Sequence, residues 1–239
     1  MTADAPAAFG YRPIMVSTPE TAVSMVRVVT ASAAVHVIAD ADVGSVVADR
    51  VPIVLDRSVA TIDSASTRVD VRVPEGMDLV IGTTSGRVHI AGPVGSVAVT
   101  TTSGKVEIDD AASLDVRTTS GRVRIVTSRG EARVLSASGK VEIDSCGDAD
   151  VTTTSGRIVL RNVEGPARAH CASGRVDITM AGAHDVDAET VCGRISISLP
   201  EGTRALIDTP SARSVASTAD HDCVVTARSG SGRVDISTR

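Results

Sequence analysis

The stretch Thr83-Thr84-Ser85-Gly86-Arg87-Val88-His89-Ile90 recurs as Thr101-Thr102-Ser103-Gly104-Lys105-Val106-Glu107-Ile108, and again as Thr118-Thr119-Ser120-Gly121-Arg122-Val123-Arg124-Ile125. The motif T-T-S-G-[RK]-V-x-I then decays to Ser138-Gly139-Lys140, Ser155-Gly156-Arg157, Ser173-Gly174-Arg175, Cys192-Gly193-Arg194 and Ser231-Gly232-Arg233. Successive glycines lie 17 to 19 residues apart, except for one step of 39 between Gly193 and Gly232. A degenerate copy fits inside that step. Leu199-Pro200-Glu201-Gly202 up to Ser211-Ala212-Arg213 matches Val73-Pro74-Glu75-Gly76 up to Ser85-Gly86-Arg87, with Ala212 in the glycine's place.

Self-similarity at this period marks a repeat architecture. Inside each repeat the pattern has period 2, as in Val97-x-Val99-x-Thr101-x-Ser103 and then Val106-x-Ile108, which is the signature of strands with one buried face. Pairs of inward aliphatics follow every 8 to 9 residues: Val97/Val99, Val106/Ile108, Leu114/Val116, Val123/Ile125. The expected fold is all-β. It is a single-stranded parallel β-solenoid with two strands per coil of about 18 residues, each strand pairing with its counterpart one coil away, and about nine to twelve coils. A left-handed hexapeptide helix would need an aliphatic at every sixth residue and does not accommodate alternating steps of 17 and 18. Glycine is expected at the bend for its access to positive φ, with the preceding Ser in an inward slot that Cys192 also fills. Ser32-Ala33-Ala34-Val35-His36-Val37 echoes Ser85 to Ile90, so coils should begin near Val26. Residues 1–19, with Pro6, Pro13, Pro19 and both aromatics Phe9 and Tyr11, read as a tail or a cap on the first coil, and 20–239 as the repeat domain.

Composition agrees with a thin interior. The chain has 239 residues, 42% of them hydrophobic, yet one Phe, one Tyr and no Trp, so buried area must come from small β-branched side chains. Membrane barrels need interfacial aromatic belts, and no run approaches 18 apolar residues. The start lacks the basic and apolar segments of a secretory signal, which leads to the expectation of a cytoplasmic chain, or one exported by another route, with envelope association through a partner as a further option. A net charge of −5 gives no global attraction to nucleic acid, and the lack of stacking rings argues against single strands. Cys146, Cys171, Cys192 and Cys223 show no metal spacing and read as reduced, small hydrophobes.

The repeated motif, preceded by Val-Pro-Glu-Gly at 73–76, resembles the bacterial adhesin-like family of β-strand-repeat domains of unknown function, over roughly residues 26 to 239. The resemblance implies a single-stranded β-solenoid, often tied to the cell envelope or its stress regulation. It brings no catalytic residues.

The residue after each glycine is a cation: Arg87, Lys105, Arg122, Lys140, Arg157, Arg175, Arg194, Arg213 and Arg233. With strands about 4.8 Å apart, these nine would form a row of roughly 38 Å. Two residues further on stand Glu107, Glu142, Asp177 and Asp235, which can neutralise the row within and between coils. The alternative is a track for an acidic polymer. A column of Thr84, Thr102, Thr119 and Thr154 is interrupted by Ala137 and Ala172, and β-propensity explains it better than ice binding. Acidic pairs such as Asp109-Asp110 fall at turns, and coils this short leave no insertion to wall a glycan-cleaving pocket. The five histidines do not cluster in sequence, and His184-Asp185 and His221-Asp222 lack a third metal ligand by spacing. No cofactor, metal or catalytic group is expected. The functional expectation is a non-enzymatic scaffold or binding module recognising a protein or an acidic polymer, with self-assembly through exposed terminal coils or a regulatory partner role in envelope stress as the alternatives, ahead of a glycan-cleaving enzyme.

Overall fold

The computed structural model describes residues 14–15, 23–209 and 221–239. They form strands and turns with no helix: β1 (Ile14–Met15), β2 (Met25–Thr30), β3 (Val35–Ala39), β4 (Val47–Asp49), β5 (Ile53–Asp56), β6 (Val59–Ser64), β7 (Val69–Val73), β8 (Asp78–Ser128), β9 (Ala132–Cys146), β10 (Ala149–Val163), β11 (Ala167–Met180), β12 (Val186–Leu199), β13 (Ala205–Asp208) and β14 (Cys223–Thr238). One mostly parallel sheet joins them all. Each repeat lies in register on the next, with Val151 between Val134 and Ala169, and Leu160 between Ile143 and Ile178. This is the stacking that a parallel solenoid requires.

Two expectations change at the bend. The two strands of a coil are one continuous strand, because Ser155 and Gly156 stay paired with Ser138 and Gly139 and, at the bend, just Thr154 drops out of the ladder. The inward slot belongs to the first Thr of the motif rather than to the Ser. Thr83, Thr101, Thr118, Thr153 and Thr190 are buried, whereas Ser85, Ser120, Ser155 and Cys192 are exposed. A tight bend turns consecutive side chains to its outer side, so the period-2 phase resets across it.

Glycine is required there chiefly by contact with the coil beneath. Only Gly139, Gly156 and Gly174 among the bend glycines have a left-handed φ, but a Cβ on Gly104, Gly121 or Gly156 would overlap the carbonyl oxygen of Gly86, Gly104 or Gly139 respectively. In the first coils a polar turn replaces it. Ala33 N–H donates to Thr30 Oγ1 at 3.2 Å, and Thr67 N–H donates to Ser64 Oγ at 3.2 Å. In the Gly coils, Thr83, Thr101, Thr118 and Thr190 keep their buried hydroxyls without a hydrogen-bond partner.

The core is a ladder between two faces of unequal bulk. From β9 onward one face supplies Ala132, Ala149, Ala167, Ala169 and Ala188 against Ile143, Ile158, Ile178 and Ile195 on the other, all buried, whereas in β8 the first face carries Leu79, Ile81 and Leu114. Small against large across a narrow gap fills the interior without rings.

Chain order and spatial order part at both ends. β3 lies between β7 and β8, with Val35 paired to both Val69 and Val88, so the first coil is inserted beneath the second. At the other end β14 lies between β12 and β13: Val225 pairs with Val186 and with Ile207. Gly193 therefore pairs directly with Gly232, and no degenerate coil stands between them as the sequence spacing suggests. The matching Pro-Glu-Gly segments are the turns at these jumps, each with a left-handed glycine, Gly76 at φ 73° and Gly202 at φ 82°. At the N-terminal end, antiparallel β5 covers β6, and antiparallel β4 covers β7 and carries β1. The rest of the expected 1–19 cap lies outside the described residues.

Gly121→Ala should lower the unfolding free energy by about 2–3 kcal/mol, because the coils must separate to admit one methyl, and urea denaturation checks this. Thr101→Val should leave stability equal or raise it by about 1 kcal/mol, since it deletes a buried hydroxyl that has no partner.

Candidate functional site

The bend column brings the sequence-predicted cations together. Arg122, Lys140, Arg157, Arg175, Arg194 and Arg233 are successive register partners, and the stacked glycines 86, 104 and 121 carry Arg87 and Lys105 on the same line. Arg213 lies outside the described residues. Arg194 pairs directly with Arg233. Arg68 extends the line, since Val69 and Val88 flank Val35 and so Arg68 and Arg87 flank Ala34. The signal for it was Ser66-Thr67-Arg68-Val69-Asp70-Val71, a motif copy in which Thr stands for Gly.

Acids two residues on quench most of the row. Lys105 contacts Glu107, and Lys140 lies 2.7 Å from Glu142. Asp177 takes Arg175 from its own coil at 2.7 Å and Arg157 from the coil before at 2.8 Å. Arg233 meets Asp235 at 2.6 Å. Among the described residues no ion pair forms at Arg87, Arg122 or Arg194, whose residues two on are His89, Arg124 and Ser196. Most of these pairs are well exposed and each contributes little.

Glu142 is different, because it is buried. Lys140 holds its carboxyl below the usual range, Arg161 adds to this at 3.2 Å, and burial opposes them. Arg161 also reaches Asp144, which accepts from Arg124 at 3.1 Å, so charge is balanced across several coils.

The opposite face shows the same balance. Its outward column reads Asp115, Arg133, Asp150, Arg168, Asp187 in register, alternating in sign from coil to coil, with Arg133 at 3.3 Å from Asp150. Exposed apolar residues are scattered, Leu135 on this face and Val126 on the other.

No group of three or more potential metal ligands occurs among the described residues, His184 and Asp185 included. An open cavity of about 600 Å³ lies at the N-terminal end between Val47, Arg68 and Arg72. Carboxylates that line cavities are engaged: Asp78 accepts from Ser96 N–H at 2.8 Å, and Asp115 meets Arg117 at 2.7 Å. Cys146, Cys171 and Cys223 are buried, with burial pushing the Cys146 thiol up to about 12, while Cys192 is exposed beside Ser231.

One correction concerns the histidines. Sequence spacing separates them, but the inserted first coil stacks His36 on His89 with ring centroids 5.0 Å apart and 13° between planes.

The family model described as Toastrack DUF4097 matches residues 14–147 and again 128–238. The chain belongs to the Toastrack DUF4097 family. No curated protein matches this Toastrack chain. Among solved structures, the crystal structure of a putative cell adhesion protein from Clostridium sporogenes is similar at 7% identity with a TM-score of 0.25, covering 95% of this chain and all of the other. The family is of unknown function, so the Toastrack assignment supports the β-solenoid and names no chemistry. No helix among the described residues is long and apolar enough to cross a membrane.

Glu142 contributes to the acid limb of stability. Its lowered carboxyl contributes stability that is present above the ordinary carboxylate range and is lost as pH falls through the lowered value. Glu142→Gln should therefore be less stable than the parent at pH 7, with the two denaturation midpoints converging as the solution is acidified below the ordinary carboxylate range.

Proposed function

We propose that this chain is a non-catalytic solenoid scaffold that recognises a protein surface through its flat, mixed-charge faces. The observation that supports this best is the neutralisation of the cation row by Glu107, Glu142, Asp177 and Asp235. A track for an acidic polymer would need a run of uncompensated cations, whereas Arg87, Arg122 and Arg194 are two and four coils apart. Alternating charge with scattered apolar residues suits a polar protein interface, in which complementary charge fixes register more than it adds affinity. The antiparallel strands over β6 and β7 weigh against stacking at the N-terminal end, so end-to-end assembly is the weaker reading.

Two measurements test the reading. The protein should pass through a heparin column at 150 mM salt, and a photo-crosslinker placed at Leu135 or Val126 in the native cell should capture a discrete protein partner. Retention that is lost on changing Lys105, Arg122 and Lys140 together to Gln would overturn it in favour of an acidic polymer. Absence of any discrete adduct from either position would also overturn it.

A further inference from the structure

The line of cations has one break, and the break is built. Where every other described bend on the line carries Arg or Lys, the inserted first coil carries Ala34, with Arg68 on one side and Arg87 on the other. The missing side chain leaves an open notch of about 360 Å³ lined by Ala34, His36, Arg68, Arg87, His89 and Glu107. Two strand spacings, about 9.6 Å of backbone, separate the two arginines, enough for a small ion between their side chains.

The charge around the notch differs from that along the rest of the row. Arg68 is held through Nε by Asp70 at 2.9 Å, which leaves its terminal nitrogens uncommitted among the described residues. Arg87 has no ion-pair partner there, because the position two residues on is His89 rather than an acid. His36 Nδ1 faces Asp70 at 3.5 Å and His89 Nε2 faces Asp109 at 4.0 Å, so each imidazole turns one nitrogen to a carboxylate and keeps the other free. Glu107 pairs with Lys105, and its charge is also felt by Arg87 and His89. On the far side of His36, Asp49 and Arg72 oppose each other in charge. With neutral imidazoles these fixed charges cancel. Protonating the imidazole pair adds two positive charges and turns two acceptor nitrogens into donors.

We propose that this notch binds a small tetrahedral oxyanion of the phosphate or sulfate type, held between Arg87 and the terminal nitrogens of Arg68, with His36 and His89 as additional donors in acid. Guanidinium groups match such oxygens with paired donors, and charge-assisted bonds of this kind are the strong ones. The site lies at the N-terminal end of the bend column, at the border of one outward face, and its oxyanion chemistry does not depend on that reading.

The test follows the imidazole carbon-bound proton signals of all five histidines by NMR while sulfate, whose charge is constant between pH 7.5 and 6, is added to the full chain. Inorganic phosphate serves as a second probe. His36 and His89 should shift together and saturably while the other three stay still, and sulfate should bind more tightly in acid. Arg87→Gln, and Ala34→Gln, which fills the notch without charge, should each weaken binding by roughly tenfold or more. Arg122→Gln, another cation without an ion-pair partner but with no notch, should leave it unchanged. Shifts spread over all five histidines, affinity that is flat with pH, or an Arg122→Gln loss equal to that of Arg87→Gln would overturn the proposal. All these positions are exposed or half-buried, so the variants should keep the parent's denaturation midpoint.

Discussion

The fold depends on how closely one bend can sit on the next. Backbone stacks on backbone at the corner, with the carbonyl oxygen of one glycine occupying the space that a Cβ on the following glycine would need. This contact fixes the register, because sliding a coil by one residue would place a Cβ in that space and turn the buried Val and Ile rows outward. The other columns inherit their alignment from it: aliphatics inside, cations after the bend, acids two residues further on.

In-register stacking imposes a cost that the sequence offsets locally. Identical cations about 4.8 Å apart repel, and the same register that aligns them places Glu107, Glu142, Asp177 and Asp235 within reach of their own or a neighbouring coil. Asp177, shared by Arg157 and Arg175, shows neutralisation working between coils where Val159 provides no acid. The surface that results is close to neutral over most of its length. Both columns are interrupted together at one place, by Ala34 and the histidine pair.

The strand period, the aliphatic ladder and the cation line were all legible in the sequence, because a solenoid repeats its contacts as it repeats its residues. Spatial order at the ends was not. A coil accepts any other coil as its neighbour, so nothing in Val35-His36-Val37 itself says whether it pairs with Val69, Val88 or both. The echo between Ser32–Val37 and Ser85–Ile90 reflected direct adjacency, while the Pro-Glu-Gly match at 73–76 and 199–202 reflected two turns that carry the chain past a neighbour. The histidine pair was hidden for the same reason, since it exists only once the first coil is inserted. The inward Thr was missed because simple alternation was carried through a bend that resets it.

The most direct check on this arrangement is a map of through-space proton contacts between neighbouring bends in solution. The stacked-glycine account predicts contacts linking Gly193 with Gly232, and Val35 with both Val69 and Val88. Contacts joining Gly193 to Ala212 instead, or Val35 to Val69 without Val88, would mean that coils follow chain order and would contradict it.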